Sequence, residues 1–250
     1  MENIQSDEAL RIWIINYLSE KLGSHAILRG GMVLRVLGCP RYTNDLDYIF
    51  IPFKSKKEAV PLLEKILKEV EGLSFQCQLH STNARFDIIF KSAKGTYKTQ
   101  LEISVAENCP SEALSTGDFS QEHQQLPHIV RVMRFDVALA HKLAAWNERR
   151  LLRDLYDAYF IFKNLNTLPH LQTLQNRLQK INYAKKEKSR SFLKKMSLND
   201  FLNQVEEGLK NLTDNDLEKE LRDSLTQNQM VGLSKKIRVS LNELIEKLRE

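Results

Sequence analysis

The chain has 250 residues, 42% hydrophobic and 28% charged, with 37 Lys plus Arg against 32 Asp plus Glu and a net charge of +5. This composition provides material for one large or two small globular domains, and the mildly basic balance permits a nucleic-acid partner without requiring one. Cys39, Cys77 and Cys109 form no CxxC pair, which argues against a zinc site or a disulfide framework, and no apolar run approaches the ~18 residues that span a membrane.

Ser6 followed by Asp7 and Glu8 reads as a helix start, and acids at Glu2, Asp7 and Glu8 with no apolar cleavage-site pattern give no expectation of a signal peptide. Leu10, Trp13, Ile14, Tyr17, Leu18 and Leu22 recur at helical spacing, which predicts an amphipathic helix ending near Gly23. His25 to Leu28 reads as a short strand, followed by Gly30-Gly31, a short helix from Met32 to Leu37, and a stop at Gly38-Cys39-Pro40. A strand is expected from Asp45 to Ile51. Ser55 and Glu58 have capping-box spacing ahead of a helix whose regular part is expected to begin at Pro61 and run to Val70.

Phe75 to Leu79, Arg85 to Phe90 and Tyr97 to Val105 are strand-like, the last two joined across Ser92–Thr96. Residues 107 to 128 read as a long functional or mobile loop, and Val130 to Met133 as one more strand. From Phe135 onward the pattern is helical. The expected division is a core domain over 1–128 and a mostly helical domain over 129–250. Arg177, Lys180, Lys185, Lys186, Lys188, Arg190, Lys194 and Lys195, interrupted by Glu187, form a basic run that reads either as a solvated face or as an RNA-backbone surface.

Residues i and i+2 of a strand point the same way, so Asp45 and Asp47 share one face while Leu46 turns into the core. Paired carboxylates repel unless a cation sits between them, and Mg²⁺ favours one or two carboxylates with phosphate oxygens and water. The glycine pair just upstream lets a backbone approach phosphates. Glu102 lies on the polar side of the last long strand, either as a third metal ligand or as a solvated edge residue, with Asp87 as its rival. Asp154 and Asp157 lie one helical turn apart. Local pairs with Arg150 and Arg153 are one reading of them, and a charged cluster beside Lys142 is the other.

The string Leu28-Arg29-Gly30-Gly31, then thirteen residues, then Asp45-Leu46-Asp47 resembles the signature of the DNA polymerase beta-like nucleotidyltransferase superfamily. With Arg41-Tyr42-Thr43-Asn44 ahead of the acids, and Lys142 and Arg153-Asp154-Leu155-Tyr156-Asp157 downstream, it is closer still to the AbiEii/AbiGii (MenT-like) toxin family. One departure is Gly31, where many superfamily members carry serine.

The resemblance implies an α+β nucleotidyltransferase fold, a small mixed sheet flanked by helices, with a C-terminal helical bundle completing the active site. It implies transfer of a nucleoside monophosphate from an NTP to an acceptor hydroxyl, with RNA, the tRNA 3′ end, as the expected acceptor. The expected roles are Asp45, Asp47 and Glu102 on two Mg²⁺ ions (Mn²⁺ substituting), and Gly30 and Gly31 on the β- and γ-phosphates. Lys142 falls on the triphosphate, and Asp154 orients that lysine or the nucleotide, with Asp157 a lesser candidate. Arg29 and Arg41 flank the site, either as phosphate contacts or as surface arginines. The resemblance further implies a cytoplasmic toxin with a cognate antitoxin and no membrane association. A small-molecule (aminoglycoside-type) or protein nucleotidyltransferase, and a non-catalytic NTP- or RNA-binding module, stay open on the same residues.

Overall fold

The computed structural model describes residues 4–178 and 195–250. Most of the basic run, from Lys180 to Lys194, therefore lies outside the described residues. Among those residues the chain divides into two compact units, 1–134 and 135–250. The sequence placed the division at 128/129. It falls later because Ile129–Met133 is a strand of the first unit's sheet.

The first unit is built on helix α1 (Asp7–Leu22), whose N-cap Ser6 accepts from the Ala9 N–H at 2.9 Å. An amphipathic stripe was expected. Instead Ala9 to Asn16 is buried on every side, Arg11 included. The second cover comes from residues 107–128, expected to be a loop, which hold strand β6 (Ser111–Ser115) and helix α4 (Gly117–Glu122). Asn16 donates to Ser120 Oγ at 3.2 Å and accepts from Thr116 Oγ1 at 2.9 Å, and Gln125 donates to the Ala9 carbonyl at 2.8 Å. These polar links dock the segment on α1, so it is ordered without an apolar period of its own.

The sheet holds seven strands in the order β3-β4-β5-β2-β1-β7-β6. Strands β1 (Ala26–Arg29) and β2 (Asp45–Phe50) are antiparallel, β2 and β5 (Gly95–Val105) are parallel, and β1 and β7 (Ile129–Met133) are parallel. Strands β3 (Leu73–Leu79) and β4 (Ala84–Ser92) extend the sheet as an antiparallel meander beyond β5. Leu46, Tyr48, Phe86, Leu101 and Ile103 alternate inward on one face and are buried. Helix α2 (Gly31–Val36) follows β1, and α3 (Lys56–Lys68) follows β2. Pro61 sits inside α3 rather than at its start, and the Ser55–Glu58 box does not close: Glu58 accepts from the Lys54 N–H at 3.3 Å.

The second unit is helical: α5 (Phe135–Arg149), α6 (Leu152–Leu165), α7 (Leu171–Arg177), α8 (Leu198–Lys210), α9 (Asp214–Leu221), α10 (Gln227–Met230) and α11 (Leu233–Arg249). Trp146 packs edge-on against Phe201 at 6.4 Å, and Gly208 is small because a Cβ there would stand 2.9 Å from the Trp146 ring. No helix among the described residues is long and apolar enough to cross a membrane.

Candidate active site

Strand register decides which carboxylates meet. Asp47 of β2 lies directly beside Glu102 of parallel β5, and beside Arg29 of β1 on its other side. Glu102 in turn faces Arg85 of β4. One row across four strands therefore reads Arg29, Asp47, Glu102, Arg85: two adjacent acids flanked by an arginine at each end. The next row holds Asp45, Gln100 and Asp87. Adjacent strands lie ~4.8 Å apart, so Glu102 is one strand from Asp47 and Asp87 is two from Asp45. Asp87 is also engaged, accepting from Arg85 at 2.8 Å. Geometry thus groups Glu102, not Asp87, with the aspartate pair.

The chain between the two glycines and the acids shapes this corner. Gly30 has φ +77°, which favours glycine, and a Cβ on it would stand 2.4 Å from Asp47 Oδ2, so a larger residue would displace that carboxylate. At Gly31 an added Cβ would meet Arg41 Nη2 at 3.0 Å and Thr43 Oγ1 at 3.1 Å. The volume a serine would need is held by a guanidinium and a hydroxyl of this chain, which accounts for the departure at Gly31. Arg41 is buried, and Thr43 donates to Asp45 Oδ1 at 2.7 Å. Asn83 donates to Glu102 Oε2 at 2.7 Å. Thr43 and Asn83 escaped the sequence reading. Thr43 shares a strand-like two-residue spacing with Asp45, whereas nothing local ties Asn83 to Glu102.

The three carboxylates offer hard oxygen donors of the kind Mg²⁺ takes, and Asp45 and Glu102 are already oriented by hydrogen bonds from Thr43 and Asn83. Among the described residues no three acidic, His or Cys side chains converge into a preassembled metal cage. The donor set fits an ion shared with phosphate oxygens and water better than a closed protein site.

The other predicted residues lie in the second unit. Lys142 of α5 reaches Asp157 Oδ2 of α6 at 2.6 Å and Asp154 Oδ1 at 3.9 Å. Asp154 is taken by Arg149, whose Nη2 donates to both carboxylate oxygens at 2.8 Å. Asp154 and Asp157 are 1% and 0% exposed, so the local surface pairs with Arg150 and Arg153 do not form. Arg150 instead donates to Gln204 and lies over Trp146 at 4.2 Å. Asp157, the lesser candidate in sequence, is the closer partner of Lys142. Burial raises the pKa of Asp154 against the opposing pull of Lys142 and Arg149, with Asp157 adding to the rise.

Solved structures share this architecture. JHP933 from Helicobacter pylori superposes with a TM-score of 0.56 at 14% identity, covering 97% of this chain and 91% of that one. A candidate nucleotidyltransferase from H. pylori gives 0.57 at 15% identity, covering 97% and 95%. The fold is that of nucleotidyltransferase-like proteins. The family model for the nucleotidyl transferase AbiEii toxin of type IV toxin–antitoxin systems matches residues 16–242, and the chain belongs to this family. Membership implies a cognate antitoxin as partner. No curated protein matches the chain.

Proposed function

We propose that the protein is a metal-dependent nucleotidyltransferase that moves a nucleoside monophosphate from an NTP to a hydroxyl of RNA, the tRNA 3′ end in particular, in a cytoplasmic toxin–antitoxin system. The observation that carries this reading is the adjacency of Asp47 and Glu102 on parallel strands, with Asp45 one step along and Gly30 against Asp47. Two Mg²⁺ ions, when bound, activate the attacking hydroxyl and stabilise the leaving phosphates. Asp45, Asp47 and Glu102 are the residues that would hold them, with Asp45 oriented by Thr43 and Glu102 by Asn83. The backbone at Gly30 and Gly31 lines the β- and γ-phosphates, with Arg29 and Arg41 as flanking cations. The acceptor oxygen bonds to the α-phosphorus as the α–β anhydride breaks and pyrophosphate departs. Within the second unit, Lys142, held by Asp157, is a candidate phosphate-binding cation.

The test is incubation of purified protein with Mg²⁺, each labelled NTP in turn and total RNA. Label on RNA, lost in Asp45→Ala and Asp47→Ala, is the expected result. Label on protein, or none with any NTP, overturns the RNA reading, and full activity in either variant overturns the metal site.

A further inference from the structure

Lys56, the first residue of α3, turns its ammonium onto the turn between β3 and β4. Three backbone carbonyls of that turn accept from it: His80, Ser81 at 2.9 Å and Asn83 at 3.3 Å. A lysine has three N–H donors and no acceptor, so its donors are spent on the turn and none is left for a phosphate. The helix does not account for this residue, because a cation in a first helical turn opposes the macrodipole. The turn does account for it. His80-Ser81-Thr82-Asn83 holds neither the glycine nor the proline that presets a turn. Carbonyl oxygens gathered about one point repel one another unless a cation sits among them. Lys57, one residue on, is exposed, whereas Lys56 is half-buried.

The same turn carries Asn83, whose amide donates to Glu102 Oε2 at 2.7 Å. The Asn83 carbonyl is held twice, by the His80 N–H at 2.9 Å and by Lys56. Arg85, opposite Glu102 in register, bonds to Asp87 instead. We propose that Lys56 is a positioning residue for the Glu102 carboxylate, an inference that rests on the transferase reading for the role of Glu102. The ammonium fixes the turn, and the turn fixes the Asn83 amide. The amide holds one oxygen of Glu102 and so sets the direction in which the other faces. Lys56 thus acts on the carboxylate site through Asn83, without touching nucleotide or acceptor. Its charge and the three carbonyls are separable parts. In Lys56→Ala a free ammonium ion fits the vacated place and bonds the same oxygens.

The experiment records ¹⁵N–¹H spectra of the full chain without metal or nucleotide and follows the Asn83 side-chain amide, identified by its loss in Asn83→Ala. In wild type this amide is displaced from the position of a free asparagine by its bond to Glu102, and Glu102→Gln reduces the displacement. Lys56→Ala moves it toward the free position. Ammonium chloride returns it, and tetramethylammonium chloride at the same ionic strength, which has no N–H donor, does not. Lys56→Gln, which keeps much of the length and removes the charge, shows the same movement and guards against a fold defect in the alanine variant. Transfer by Lys56→Ala falls about tenfold or more, the loss typical of an outer partner of a metal ligand, and ammonium restores it in parallel. In Asn83→Ala ammonium restores nothing. An amide that stays at its wild-type position in both Lys56 variants overturns the proposal, as does equal recovery with tetramethylammonium. Movement and ammonium recovery of the amide in a protein that transfers no nucleotide uphold the linkage and count against the transferase reading alone.

Discussion

Gly30 and Asp47 lie so close that a Cβ at position 30 would stand 2.4 Å from the Asp47 carboxylate oxygen and oblige that side chain to shift. The backbone at Gly30, φ +77° and ψ −155°, is also in a region that only glycine enters readily. Gly30→Ala is expected to cost about 1–3 kcal/mol in backbone strain alone. It also displaces Asp47, so transfer falls by more than the stability loss explains. Thermal unfolding and labelled-NTP transfer on the same preparation separate the two effects.

Glu102 and Asp87 compete in sequence for the role of third carboxylate, and strand register favours Glu102. Glu102→Gln is expected to lower transfer about a hundredfold or more, the order lost with one transition-state electrostatic contact. Asp87→Asn changes it by less than about threefold, as a substitution off the reaction path does. Equal losses in the two variants would contradict the assignment.

Lys142 and Asp157 form a close pair at 2.6 Å in which the carboxylate is fully buried. Asp157→Ala leaves the partly exposed Lys142 with only the more distant Asp154, at 3.9 Å, so it is expected to destabilise by less than the ~3–5 kcal/mol of a fully uncompensated buried charge. The double replacement Lys142→Met with Asp157→Leu recovers most of that loss, because the buried charge is gone. Urea unfolding of wild type and these two variants tests both expectations.

Asp154 titrates upward from its ordinary carboxylate value of 3.8 because burial opposes its charged form. A raised folded value means that the folded chain holds this proton more tightly than the unfolded one. The stability gained from it is present below pH 3.8 and is lost as pH rises through the folded value. Asp154→Asn removes this slope. The difference in stability between wild type and variant should therefore become less favourable to wild type with rising pH across the mildly acidic range. A flat difference would show that Arg149 and Lys142 fully offset the burial.

The fold was legible wherever a signal is local. Ser6 caps α1, the alternation of Asp45, Leu46 and Asp47 sets one strand's two faces, and the two glycines stand where the backbone must approach Asp47. Other features depended on partners distant in sequence. Residues 107–128 carry few apolar positions and are ordered by Asn16, Thr116 and Gln125 bonding to or from α1, so composition alone reads them as a loop. The spacing of Arg150 and Arg153 suggested surface ion pairs, but helix packing buries Asp154 and Asp157 and hands them to Arg149 and Lys142.

That Asp45 and Asp47 share a face behind a glycine pair follows from neighbouring residues alone, because strand alternation and glycine's missing Cβ are local properties. It took strand register and helix packing to set Glu102 beside Asp47 with Asp87 a strand further off, to make Asp157 rather than Asp154 the near partner of Lys142, and to bury Arg11 over the Tyr42 ring. Both bring together residues tens of positions apart and leave no periodic trace in either segment alone.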